Sequence, residues 1–133
     1  MALTKDRNTP MQDAEIISVP VAAGVECFAG GLAAATATGY ATPGETATTL
    51  TYLGRFEEYV DNSSGSAGDV SVVIRRGKAF KWKNSATDAV TQASLGQACY
   101  IVDDETVAKT NGTTTRSAAG IVVAIESDGV WVE

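Results

Sequence analysis

Asp103-Asp104-Glu105 sets three carboxylates in a row and Glu57-Glu58 adds a pair, the residue types from which metal sites and glycosidase acid–base couples are made. Successive side chains on extended backbone point to opposite faces, so neither run aims adjacent carboxylates at one atom. No histidine occurs among the 133 residues to complete a ligand set or a proton shuttle. A turn between Val102 and Thr106 is the simpler reading of the first run. Residues 61–69 have the composition of a calcium loop, but the sixth position is Ser66 rather than Gly, the twelfth is Val72 rather than Glu, and no helical pattern flanks them. Cys27 and Cys99 are too few and too far apart for a zinc site or a disulfide framework, and both read as buried thiols that pack like small hydrophobes. Ser and Thr abound, yet neither a Gly-x-Ser-x-Gly elbow nor a Ser-x-x-Lys motif is present. The chain reads as a non-enzyme without metal or cofactor, one that works by presenting a surface.

The charge pattern is more pointed. Ten basic residues stand against sixteen acidic ones, for a net charge of -6, and five of the ten (Arg75, Arg76, Lys78, Lys81, Lys83) fall in one short stretch. Three uses fit such a stretch: a sheet edge guarded by cations, a docking patch for an acidic protein surface, or contact with nucleic acid. The acidic balance of the whole disfavours general nucleic-acid binding, because phosphate neutralisation drives that affinity.

The elements that must carry these residues are short and β-favouring. Residues 1–15 are polar, contain Pro10 and show no period, which predicts a flexible N-terminal arm ahead of one β domain over 16–133. Strands are expected over 16–21, with Pro20 confining the run to an edge or bulge, and over 25–29, followed by a Gly30-Gly31 turn. The alanine-rich run 32–38 lies between Gly31 and Gly39 and is too short for a stable helix, so a strand is preferred. Strands over 40–42, 50–54 and 55–60 follow, with a bulge or break at Gly54. The alternation of Val70, Val72 and Ile74, then Arg76-Gly77, then Phe80 and Trp82 predicts a hairpin spanning 70–83. Ser85 and Asp88 resemble a helix start and Gly96 a stop, giving at most one short helix. Closing strands are predicted over 99–103, 106–108, 120–125 and 130–132, with Asp128-Gly129 as a tight turn and residues 109–117 as a loop. The fold class is all-β, a small β-barrel or β-sandwich. Tyr40, Tyr52, Tyr59, Tyr100, Trp82 and Trp131 are assigned to the core or a subunit interface.

The start has no apolar run of signal-peptide length, and no stretch reaches the ~20 apolar residues of a membrane-spanning helix. Synthesis and retention in a cytoplasm, without membrane association, is the expectation.

Several stretches together resemble a family of small head proteins encoded by tailed bacteriophages, Mu-like phages especially. They are Lys5-Asp6-Arg7-Asn8-Thr9-Pro10, residues 19–25 (VPVAAGV), 54–62 (GRFEEYVDN), 99–108 (CYIVDDETVA) and 116–122 (RSAAGIV). The resemblance implies a decoration, or cement, protein of the capsid: a β-rich knob, commonly trimeric, seated on the shell of the major capsid protein in the virion. It brings no family binding residues that map position by position. On this basis the expected capsid contacts are the arm, with Lys5, Arg7 and Pro10, and the basic stretch, with Arg75, Arg76 and Lys78. Direct nucleic-acid contact is not expected. Another virion component of the tail or head–tail junction, or a non-viral β-sandwich binding module, are the alternatives.

Overall fold

A computed structural model describes residues 2–133. The first half holds seven strands: β1 (Ile16–Pro20), β2 (Glu26–Cys27), β3 (Leu32–Ala35), β4 (Ala41–Pro43), β5 (Thr51–Phe56), β6 (Val60–Asp61) and β7 (Ser71–Arg75). The second half holds β8 (Phe80–Asn84), β9 (Ala98–Ile101), β10 (Thr106–Ala108), β11 (Ala118–Glu126) and β12 (Gly129–Val132). The all-β expectation holds, and the barrel alternative is realised: β10-β8-β12-β11-β9 close on themselves. The first-half sheet, in the order β1-β7-β5-β3-β4, curls almost as far. Val21, one residue past β1, makes a parallel bridge to Ala41 of β4, and Ala22 N–H donates to the Ala41 carbonyl at 2.9 Å. A small β2-β6 ribbon lies against this sheet.

Burial on both faces explains why the alanine run is a strand. β3 lies between β5 and β4 in its sheet and is sealed on both faces, with Leu32, Ala33 and Ala34 all fully buried. Leu32 and Ala34 face the barrel core of Phe80, Trp82, Ile101, Val122 and Val130, while Ala33 faces the opposite core of Phe56, Val72 and Ile74. A strand sealed on both faces reads as a continuous apolar run rather than an alternating one, which is what Leu32, Ala33 and Ala34 provide. Further contacts stitch the halves together. Leu32 N–H donates to the Asp104 carbonyl at 2.7 Å, Ser117 Oγ–H to the Ala47 carbonyl at 2.6 Å, and Trp82 Nε1–H to Tyr52 Oη at 3.2 Å.

Pro20 does sit on an edge strand, and Gly54 does mark a bulge, because Ala33 pairs with Gly54 and Ala34 with Tyr52, leaving Leu53 extra. The strand break after β5 falls instead at Glu57, and β6 leaves the sheet to pair with β2. The predicted 70–83 hairpin does not form. β7 pairs with β1 and β5, whereas β8 pairs with β12 and β10. The alternation was read correctly, since Val72, Ile74, Phe80 and Trp82 are all buried, but they fill two different cores, and residues 76–79 cross between the sheets. Gly77, at φ 71°, supplies the left-handed residue of that crossing.

The allowance of at most one short helix holds, and what forms between Ser85 and Gly96 is a single 3-10 turn at Gln92–Ser94. Ser85 Oγ accepts the N–H groups of Thr87 and Asp88 as a cap would, but Asn84 then holds Val90 through both its N–H and its carbonyl. Only Val90 offers an apolar anchor there, too little to bury a helical face. The final tight turn lies one residue earlier than expected, on Ser127-Asp128, with Gly129 opening β12 opposite Glu126.

Candidate docking surface

Where the chain crosses from β7 to β8 it leaves an open cleft of about 540 Å3 between the sheet and the barrel, lined chiefly by Arg55, Arg75, Lys78, Phe80, Lys81 and Trp131. β5 supplies Arg55, β7 Arg75, the crossing Lys78 and β8 Lys81, so four cations converge from four places in the fold. The Arg55 guanidinium lies over the Phe80 ring, 4.9 Å from its centroid. Glu57, two residues on and therefore on the same side of extended backbone, binds Arg55 Nη2 at 2.6 Å and Arg75 Nε at 3.4 Å. The hydrogen bond from Arg55 holds the Glu57 carboxyl below its usual range. Lys81 binds Asp128 at 2.7 Å and Glu126 at 3.5 Å, and Asp128 raises the Lys81 ammonium above its ordinary value.

Of the residues singled out for shell contact, Arg75 and Lys78 line the cleft and Arg76 lines an adjoining hollow with Gly77. Lys78 pairs with Glu15 at 3.1 Å, and Arg76 N–H donates to the Glu15 carbonyl at 2.7 Å. Lys5, Arg7 and Pro10 lie apart from the cleft: residues 2–15 are exposed throughout and form no strand, and Arg7 donates only locally, to Thr9 Oγ1 at 2.6 Å. Lys83, also in the basic stretch, points away and pairs with Glu105. Most of these cations carry a carboxylate partner, so the patch is far closer to neutral than the bare sequence indicates; among the described residues Arg76 forms no ion pair.

The carboxylate runs occupy structural places. Asp103 Oδ1 accepts the Glu105 N–H and closes the turn between β9 and β10 that was foreseen. Burial raises the Asp104 carboxyl above its usual range. The 61–69 loop is pinned from within by buried Asn62, whose Nδ2 donates to the carbonyls of Ala22 at 2.9 Å and Ser66 at 3.0 Å. Both cysteines are free and buried, and burial pushes each thiol up to about 11. No cluster of three or more metal-ligating side chains occurs among the described residues.

Sequence reading missed Arg55 and Glu57 as cleft residues, although the Arg-x-Glu spacing on a strand was a usable sign of a same-face pair. It also missed a second exposed feature. Phe28 and Tyr59, each about half exposed, meet at a tilt of 47° with ring centroids 5.4 Å apart, and Tyr59 Oη donates to Glu26 Oε2 at 2.7 Å. Tyr59 therefore belongs to the surface, unlike buried Trp82. No protein-family model, no curated protein and no solved structure matches the chain.

Proposed function

We propose that this chain is a head decoration protein of a tailed bacteriophage, which binds the outer surface of the major capsid protein as a homotrimer and stabilises the shell by adhesion rather than by chemistry. The observation that carries this reading is where the leading segment departs. It joins β1 at Glu15, beside Arg76 and Lys78, so the two regions assigned to shell contact are continuous at one corner of the molecule. An exposed extended segment gains order when it lies on a partner and covers much area for few residues, and beside it the cleft presents Arg75 and Lys78, and the adjoining hollow Arg76, to acidic surface. Bridging adjacent capsid subunits stabilises the closed shell, because an opening shell must lose the added interface.

The test is occupancy on heads assembled without the protein. Removal of residues 1–15, or the triple substitution Arg75→Glu/Arg76→Glu/Lys78→Glu, abolishes or strongly weakens binding, and raising salt weakens the wild type. Full occupancy by both variants overturns the proposal. A second reading, a ligand-binding β module, draws on the exposed Phe28–Tyr59 pair, since adjacent surface aromatics suit a sugar or peptide. Under that reading Phe28→Ala/Tyr59→Ala loses ligand capture while leaving occupancy on heads unaffected.

A further inference from the structure

The chain has four asparagines, at positions 8, 62, 84 and 111, and the fold treats them differently. An asparagine followed by an accessible backbone nitrogen is thermolabile, because that nitrogen attacks the side-chain Cγ, closes a five-membered imide and expels the amide nitrogen as ammonia. A hydrogen bond on the attacking N–H, a hydrogen bond on the leaving Nδ2, and a side chain crowding the approach each oppose the step. Asn62 and Asn84 have all three. Ser63 N–H donates to Asp61 Oδ1 and Ser85 N–H to the Val107 carbonyl, both at 2.9 Å. Asn62 Nδ2 donates to the Ala22 carbonyl at 2.9 Å and Asn84 Nδ2 to that of Val90 at 2.8 Å. Asn8 is exposed but precedes β-branched Thr9. Asn111 has none of these protections. It is exposed, its Nδ2 donates no hydrogen bond among the described residues, and Gly112 follows it with no side chain to crowd the approach. Gly112 N–H makes only a long bond, 3.3 Å, to Thr110 Oγ1. Thr114 N–H donates to Asn111 Oδ1 at 3.2 Å and so draws electron density away from Cγ.

We infer that Asn111-Gly112 is a self-modification site of the folded chain, which converts to aspartate and isoaspartate and so releases the 109–117 loop. The Gly112 nitrogen gives its proton to water or hydroxide and bonds to Cγ, the Cγ–Nδ2 bond breaks, and Nδ2 takes a proton from solvent and leaves as ammonia. One water then opens the imide. Opening at the side-chain carbonyl gives aspartate, whereas opening at the main-chain carbonyl gives isoaspartate, in which the chain runs through Cγ and gains a methylene. The second product undoes the turn. The Asn111 carbonyl accepts the N–H groups of Thr115 at 2.9 Å and Arg116 at 3.0 Å, closing a turn in which Gly112, Thr113 and Thr114 lie at φ 62°, 61° and 61°. Left-handed backbone strains a β-branched residue, so Thr113 and Thr114 stay there only while that turn is held shut. In isoaspartate the same carbonyl becomes a carboxylate off the main chain, and the turn loses its closing acceptor. Arg116, fixed now by Asp88 at 2.9 Å and the Thr110 carbonyl at 3.0 Å, is then set free with the loop. This chemistry needs no partner and is independent of shell docking.

The experiment incubates the purified chain for several days in warm, mildly alkaline buffer and maps its tryptic peptides by mass against a fresh sample. The peptide spanning residues 110–116 gains one mass unit and splits into two species, one of which an isoaspartyl methyltransferase labels. Asn62 and Asn84 convert about a hundredfold more slowly or less in the same folded sample, and Asn8 also lags. Brief trypsin treatment under native conditions then cuts the aged chain after Arg116 faster than the fresh one. Asn111→Gln, which would have to close a six-membered ring, gains no mass there and keeps the cutting rate of its own fresh sample. Should glutamine disturb the turn, the comparison of aged with fresh wild type carries the test by itself. An Asn111 that stays unmodified, or an Asn62 or Asn84 that converts as fast, overturns the inference. So does an aged chain that carries isoaspartate at 111 and is cut no faster after Arg116, because the loop would then be held by something other than Asn111.

Discussion

Asp88 shows how single side chains take roles that their neighbours in sequence do not disclose. Its carboxylate accepts the Thr110 N–H and hydroxyl and binds Arg116 Nη1 at 2.9 Å, fastening the 109–117 loop, although the chain around it reads as a helix start. Thr110 first, and then Arg116, hold the Asp88 carboxyl below its usual range; Arg55 does so for Glu57, Lys81 for Asp128 and Ser63 for Asp61. A lowered carboxyl contributes stability that is present above its unfolded value, about 4, and is lost as pH falls through the folded one. The thiols set the alkaline side. Burial raises Cys27 and Cys99 to about 11, so the unfolded chain, ionising from about pH 8.5, releases protons first and stability declines as pH rises through that interval. The urea midpoint is therefore level from about pH 5 to 8 and falls on both sides. Replacing both cysteines by Ala moves the alkaline fall toward the tyrosine range near about 10. A midpoint that rises above pH 9 in the wild type would contradict this assignment. That both thiols are buried was legible, from the apolar run around Cys27; the carboxylate partners were not, because each lies on a different element.

Among elements, what the sequence discloses is the face of a strand, and what it withholds is the partner. Alternation reports which side chains are buried, so Val72, Ile74, Phe80 and Trp82 were assigned correctly. Hairpin pairing of β7 and β8 satisfies the same alternation as the observed crossing, and only the two separate cores decide between them. The Gly54 bulge was legible because glycine within a strand run signals close backbone approach. Its cause is now explicit: Gly54 has φ 145°, and a Cβ there would collide with the Arg75 carbonyl oxygen on β7. Gly54→Ala must either force that carbonyl aside or unpair β5 from β7, and it lowers unfolding free energy by about 2 kcal/mol or more, measured by urea titration. Gly39→Ala provides the comparison. It too has positive φ, but open space surrounds it, so strain acts there without collision and the loss is the smaller of the two. Equal losses would show that backbone strain alone, and not approach to β7, requires the glycine.

For the molecule as a whole, one strand is asked to serve two cores. β3 sends Leu32 and Ala34 to the barrel side and Ala33 to the other, and its Leu32 N–H is fixed by the Asp104 carbonyl from the second half of the chain. Neither half can lose β3 and keep its own core closed, so the two should unfold in a single step. The chain carries separate reporters for each half. Trp82 and Trp131 lie in the closed barrel, while Cys27 is fully buried among Val21, Phe56 and Ile74 in the first-half core. Tryptophan fluorescence and the thiol-reactivity of Cys27, followed in a Cys99→Ala background across a urea series, report the same midpoint. Leu32→Ala, which opens a cavity at the shared wall, lowers both midpoints together by about 2–5 kcal/mol of stability. Exposure of Cys27 at lower urea than the fluorescence change would mean that the first-half sheet opens alone. The stitching across β3 would then be too weak to make the halves one cooperative unit, and β1 and its sheet would unravel while the barrel stayed intact.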